Sequence, residues 1–311
     1  MRGSGQRMGP PQPSSAPSLT LPRLRGREGW GRRPLWAILV GPYALYLLVL
    51  LIVPFANVAL FSVHAYSPTK VVLPELTFAN YLKIFDPYYA RLFGRTLRLG
   101  LVTTAICAVL GYPLAYFLAR ARPRVLALGL FLLIMPLMVS TVIRVFGWIV
   151  ILGRKGMVNQ ALVAVGLEPV KLLYTETAVV IGLVNIFMPF MVLPLMASIE
   201  RIPPSLEEAA QNLGASWPQM FLRTIMPLSL PGLISGCLLV YSVSISAFVT
   251  PALMGSPRER MVGQQIYDEV LVSFNWPSAA SLAITLVLFT LLLLFAALRV
   301  TRRAGRLEIR Q

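Results

Sequence analysis

The chain has 311 residues, of which 57% are hydrophobic and 13% charged, with a formal charge of +16. So few charges exclude an ordinary soluble domain, where about a quarter of the residues are charged. One histidine (His64) and two cysteines (Cys107 and Cys237) leave no set for a histidine metal site, a Ser-His-Asp constellation or a disulfide framework, and no cofactor is expected.

Residues 1–34 are rich in Arg, Gly, Pro and Ser and are expected to form a disordered, basic cytoplasmic segment. The apolar run behind them is longer than the roughly 7–15 residues of a signal-peptide core, so a cleaved leader is not expected. Six runs reach the ~20 residues that cross about 30 Å of hydrocarbon. They cover about 35–62, 96–119, 125–152, 177–199, 229–254 and 279–299. Several contain proline, among them Pro42, Pro54, Pro113, Pro136, Pro189 and Pro194. Membrane helices tolerate proline where neighbours satisfy the freed carbonyls. The predicted fold is an all-α integral membrane protein of six transmembrane helices. Its permease domain would cover 35–300, with a cytoplasmic loop at about 200–228 and a cytoplasmic tail at 301–311.

The basic residues orient these spans. With the N-terminus inside, seventeen of the 28 Lys and Arg residues fall on the cytoplasmic side, among them Arg7, Arg25, Arg120, Arg122, Arg201 and Arg223. Ten fall outside, among them Lys83, Arg91, Arg95 and Lys171, and Arg144 lies within the third run. This bias follows the positive-inside rule and puts both termini in the cytoplasm. It accounts for the positive balance through membrane lipid and orientation, without nucleic acid.

Between the fourth and fifth runs lies the polar stretch Glu208-Ala209-Ala210-Gln211-Asn212-Leu213-Gly214, with Pro227 thirteen residues beyond the glycine. Ser205 with Glu208, and Ser216 with Gln219, each have capping-box spacing, so two short helices are expected. Gly214 stands where a left-handed cap would end the first. Leu206, Ala209, Ala210 and Leu213 follow i, i+3, i+4, i+7 spacing and predict one apolar stripe; Trp217, Met220, Phe221 and Ile225 predict another. Such stripes either pack on the chain's own bundle or enter a partner's groove.

The Glu-Ala-Ala, three residues, Gly, distant Pro pattern resembles the EAA loop of permease subunits in binding-protein-dependent ABC importers. Phe190-Met191-Val192-Leu193-Pro194-Leu195, Ala247-Phe248-Val249-Thr250-Pro251-Ala252-Leu253-Met254-Gly255 and Asn275-Trp276-Pro277 resemble the spermidine/putrescine type in particular. The similarity covers roughly residues 35–300, with Thr224 and Met226 standing where Ile and Leu are commoner. The resemblance implies a bacterial inner-membrane subunit working by alternating access. It implies a loop that seats in a cytoplasmic ATPase through Glu208, Ala209, Ala210, Leu213, Gly214 and Pro227. The partners implied are a second homologous permease, two copies of the ATPase and a periplasmic solute-binding protein. The substrate implied is a polyamine or a related organic solute. The chain itself would be no enzyme. In keeping with this, no Gly-x-x-x-x-Gly-Lys-Ser/Thr phosphate loop occurs.

Polar residues inside the spans are the candidates for the pathway. Arg144 lies about eight residues, or roughly 12 Å, from the outer end of its run. Snorkelling to the interface and lining the pathway both remain open for it. Asn185, Ser242 and Ser246 join it, with Ser244, Thr250, Tyr112, Tyr116 and Tyr241 as further polar positions. Such residues either join helices by hydrogen bonds or touch substrate. A stand-alone secondary transporter is the alternative, but none of the 12 acidic residues lies near the middle of a run, where an ion relay places a carboxylate. A membrane enzyme would need clusters of His and carboxylate that the sequence does not offer.

Overall fold

A computed structural model describes residues 33–68, 71–257 and 259–308. The expected disordered segment before residue 33 lies outside the described residues. The chain forms two units, Met1–Pro54 and Phe55–Gln311. The described part of the first unit is helical and belongs to α1 (Arg33–Ser62), which carries Pro42 and Pro54 inside it.

The second unit begins with the end of α1 and a small hairpin that the apolar runs do not announce. Strands β1 (His64–Ser67) and β2 (Val71–Leu76) pair antiparallel, Ser67 opposite Val71, with a register shift beside His64. Asn80, on the short helix α2 (Ala79–Leu82), donates from Nδ2 to the carbonyls of Ser62 at 3.2 Å and His64 at 2.9 Å, tying the hairpin's start.

Helix α3 (Pro87–Ala119) starts with proline at its first position, where the missing N–H costs nothing. It begins well before the expected residue 96. Its partners are α7 (Glu176–Glu200) and α10 (Met226–Ile245), and the three pack on one another as the centre of the unit. Tyr112, Ala115 and Leu118 of α3 meet Val192, Leu195 and Ile199 of α7 in one buried cluster. Helix α10 approaches α7 closely at Gly232. A Cβ there would stand 2.3 Å from the Ser198 Cβ and 2.8 Å from the Pro194 carbonyl oxygen, so only glycine fits.

Two expected spans are corrected. The third is broken: α4 (Pro123–Ile134) passes into a 3₁₀ turn, Met135–Met138, and the chain restarts as α5 (Thr141–Leu152) and α6 (Met157–Ala164). The two limbs are bent by 100°. Pro136 supplies no N–H to its turn, and Val139 and Ser140 are extended, so the helix stops there. The fifth does not run to residue 254. Its apolar helix covers Trp217–Ile245. A break at residues 246–248 separates it from α11 (Val249–Met254), which leads to α12 (Val262–Leu271) and α13 (Trp276–Glu308). Thr250 is therefore buried on α11 and lies outside the fifth span. Among the described residues, five helices are long and apolar enough to cross a membrane, or six where the bent pair counts as one span.

Candidate functional site

The loop between α7 and α10 forms the two short helices expected. Helix α8 (Pro204–Asn212) starts differently from the expected capping box: Pro203 is its N-cap and Pro204 its first residue. Two prolines set the start, and no side chain caps it, so Ser205 and Glu208 form no box. The helix ends as expected. Gly214 has φ +82°, its N–H donates to the Gln211 carbonyl at 2.9 Å, and the Ala215 N–H donates to the Ala210 carbonyl at 3.1 Å. This pair of bonds is the Schellman arrangement, which needs a left-handed residue where Gly214 stands. At the next start, that of α9 (Trp217–Met220), Gln219 Oε1 accepts the Ser216 N–H at 3.0 Å, as the spacing predicted. A π turn, Phe221–Ile225, then joins α9 to α10, and Pro227 sits at the start of α10.

The two apolar stripes separate. Met220 and Ile225 are buried with Ile202, and Ala210, Ala215, Tyr116 and Phe221 pack on that cluster. The second stripe thus holds the loop to its own bundle. Of the first stripe, only Ala210 turns inward; Ala209 is exposed, Leu206 is 42% exposed and Leu213 89% exposed. Trp217, 56% exposed, stacks on Phe221 with ring centroids 5.3 Å apart. Three apolar side chains therefore face away from the fold, as an interaction surface does. Glu208 is exposed among them and forms no ion pair among the described residues.

Its neighbour Glu207 is the residue that sequence reasoning missed. Arg120, at the end of α3, donates to Glu207 Oε1 from Nε at 2.8 Å and from Nη2 at 2.6 Å, and also to the Ile202 carbonyl at 2.9 Å. The Tyr116 hydroxyl donates to Glu207 Oε2 at 2.8 Å. Both carboxylate oxygens are thereby engaged. Tyr112, one turn before Tyr116 on α3, shares a short hydrogen bond with Ser229 of α10. Tyr112, Tyr116 and Arg120 stand four residues apart and so share one helix face, which is the sequence signal for this contact.

Among the described residues, Asn185 and Ser242 open on two different cavities. Asn185 opens on a cavity of about 440 Å³ among Ile106, Leu132, Trp148, Ile181 and Met188. Ser242 lines another, of about 550 Å³, with Arg98, Thr104, Cys237, Tyr241 and Thr290. Neither Arg144 nor Ser246 lines either one. Ser242 donates to the Leu238 carbonyl at 2.7 Å and Ser246 to that of Val243 at 3.1 Å, which satisfies both hydroxyls within their own backbone. Arg144, on α5, keeps Nε and Nη1 buried and without a hydrogen-bond partner, as does the Ser244 hydroxyl.

A family model described as binding-protein-dependent transport system inner membrane component matches residues 108–306, which takes in the loop and its α3 support. The chain belongs to this family. It is 39% identical over 233 residues to the spermidine/putrescine transport system permease protein PotB of Haemophilus influenzae, covering 74% of this chain and 82% of the relative. The protein of the same name from Escherichia coli K12 is 41% identical over 228 residues, covering 73% and 83%. Among solved structures, a chain of a bacterial alginate ABC transporter in complex with an alginate pentasaccharide-bound periplasmic protein superposes with a TM-score of 0.68 at 20% identity. The match covers 87% of this chain and 94% of that one, and shows the shared fold. The chain is thus a membrane permease of an ABC importer, and the five or six apolar helices are its spans.

Proposed function

We propose that this permease imports a polyamine such as spermidine or putrescine, or a related organic solute, delivered by a periplasmic binding protein. The observation that carries the substrate class is the identity of about two residues in five to spermidine/putrescine permeases over some three quarters of the chain. In this reading the subunit pairs with a second homologous permease and with two copies of a cytoplasmic ATPase. Residues 35–300 form the permease domain, both termini lie in the cytoplasm, and residues 301–311 form a tail there. The loop at 200–228 meets the ATPase through Leu206, Ala209 and Leu213, with Glu208 at the rim. Ala210 and Pro227 serve it from within, one packing on the bundle and the other opening α10, while Gly214 ends α8 so that the chain turns back. The exposed apolar face supports this assignment, since Leu206 and Ala209 on this short helix and Leu213 at its cap are all exposed.

Alternating access would follow from ATP drawing two such loops together. Arg144, Asn185, Ser242 and Ser246 remain the candidates for the pathway, Arg144 because its Nε and Nη1 are buried without a hydrogen-bond partner among the described residues, a costly state unless a ligand or another conformation supplies one. The test is uptake of labelled spermidine by liposomes holding the co-expressed permease pair and ATPase, with the binding protein added outside. Uptake should require ATP and the binding protein, and excess putrescine should compete. Uptake by the permease alone, without ATP, would instead identify a secondary transporter. ATP-driven uptake that spermidine and putrescine leave untouched would overturn the substrate class.

A further inference from the structure

The loop meets three helices, and it is joined to them unequally. To α7 it is joined through Arg201–Pro203, which lie outside the helices. To α10 it is joined through the π turn at Phe221–Ile225, followed by Pro227, which cannot donate to the ladder. To α3 there is no chain connection at all, yet the side-chain bonds are strongest there. Arg120 and Tyr116 together make four hydrogen bonds to the loop, three of them on the Glu207 carboxylate. The Tyr116 ring also meets Trp217 edge-on at 6.3 Å and Phe221 at 6.2 Å. One face of the last turns of α3 therefore grips α8, α9 and the π turn together. The opposite end of this 33-residue helix is bonded in turn. Arg95 and Arg98 pair with Glu176 at the start of α7, and Thr96 Oγ1 accepts the N–H of Val262, the first residue of α12, at 2.9 Å.

We infer that the Glu207–Arg120–Tyr116 cluster locks the loop to α3, so that the two move as one body and displacement of the loop is delivered along α3 to the far end of the unit. Glu207 is thus a positioning residue for coupling, distinct from its exposed neighbour Glu208. The inference rests on the reading that the loop seats in an ATPase. An ion pair with a guanidinium fork suits this task, because its fixed donor geometry resists both sliding and rotation. An apolar contact of the same area would allow the loop to shift.

The test uses the assembled complex in liposomes with Glu207→Gln, Arg120→Gln and the double variant. Gln keeps the size of Glu207 and one acceptor oxygen, so the cluster stays filled while the charge is lost and one acceptor is replaced by a donor. Transport per ATP hydrolysed should fall about tenfold in each single variant, the worth of one charge-assisted bond. The ATPase should still co-purify, and the double variant should be no worse than the poorer single. An unchanged ratio in both singles would overturn the inference, as would losses that multiply in the double. Loss of co-purification in step with transport would assign the cluster to assembly alone and overturn it equally. If the unaltered complex shows no ATP-dependent uptake, the underlying reading fails instead, and the two failures are told apart by that control.

Discussion

The two ends of α3 carry the same kind of ion pair in different settings. Near its start, Arg98 and Arg95 reach Glu176, with side chains 60%, 26% and 28% exposed. Near its end, Arg120 reaches Glu207, with side chains 22% and 13% exposed, and Tyr116 takes the remaining carboxylate oxygen. Water reaches the first cluster more readily, Arg98 above all, and competes for its hydrogen bonds, so its contribution is smaller, about 0.2–1 kcal/mol. The second is largely shielded and fully bonded, so removing one partner strands the other. A charge count along the helix therefore says little about what holds it. Burial and the number of satisfied bonds decide.

Breaking the shielded end should have the largest effect. Glu207→Ala leaves Arg120 with only the Ile202 carbonyl and the Tyr116 hydroxyl without its acceptor, and should destabilise the protein by about 2–3 kcal/mol. Thermal unfolding in detergent would show this as a clearly lowered midpoint. Next comes Gly232→Val, a packing change at the contact of α10 with α7. Its Cβ would fall 2.8 Å from the Pro194 carbonyl oxygen and force α10 off α7, costing about 2 kcal/mol in the same assay. Gly214→Val forces a β-branched residue to φ +82° and should cost at least about 1 kcal/mol, with proteolysis of the loop rising before the bundle melts. Smallest of all, Glu176→Gln at the exposed end should change the midpoint by the equivalent of about 0.5 kcal/mol, and the difference should shrink in high salt. A Glu176 variant as damaging as the Glu207 variant would dissolve the comparison.

Local features of the sequence were legible because their causes are local. The Schellman end at Gly214 and the Gln219 bond to the Ser216 N–H depend on residues a few positions apart, and spacing alone announces them. Apolar run length located the helices, since a span needs continuous hydrophobicity. What failed was decided by particular competitors. Pro203 and Pro204 displaced the Ser205–Glu208 box by starting α8 at their own position. Pro136 with the extended Val139 and Ser140 broke a run that composition made continuous. The Arg120–Glu207 contact joins residues 87 positions apart, and each alone reads as an ordinary charge beside a membrane. Asn185 and Ser242 open on different cavities, a grouping that depends on how separate helices pack and that polarity within a run does not specify.

If the outward face of α8 and its cap seat the ATPase, a thiol placed at Leu213 will be covered in the complex. Cys107 is buried and Cys237 half-buried, so after Cys237→Ser a Leu213→Cys variant offers one highly exposed thiol. Labelling should be rapid in the permease alone. Once the full complex is assembled, the thiol should be strongly protected and should crosslink to the ATPase subunit. Equal labelling with and without the ATPase, and no crosslink, would rule out this seat.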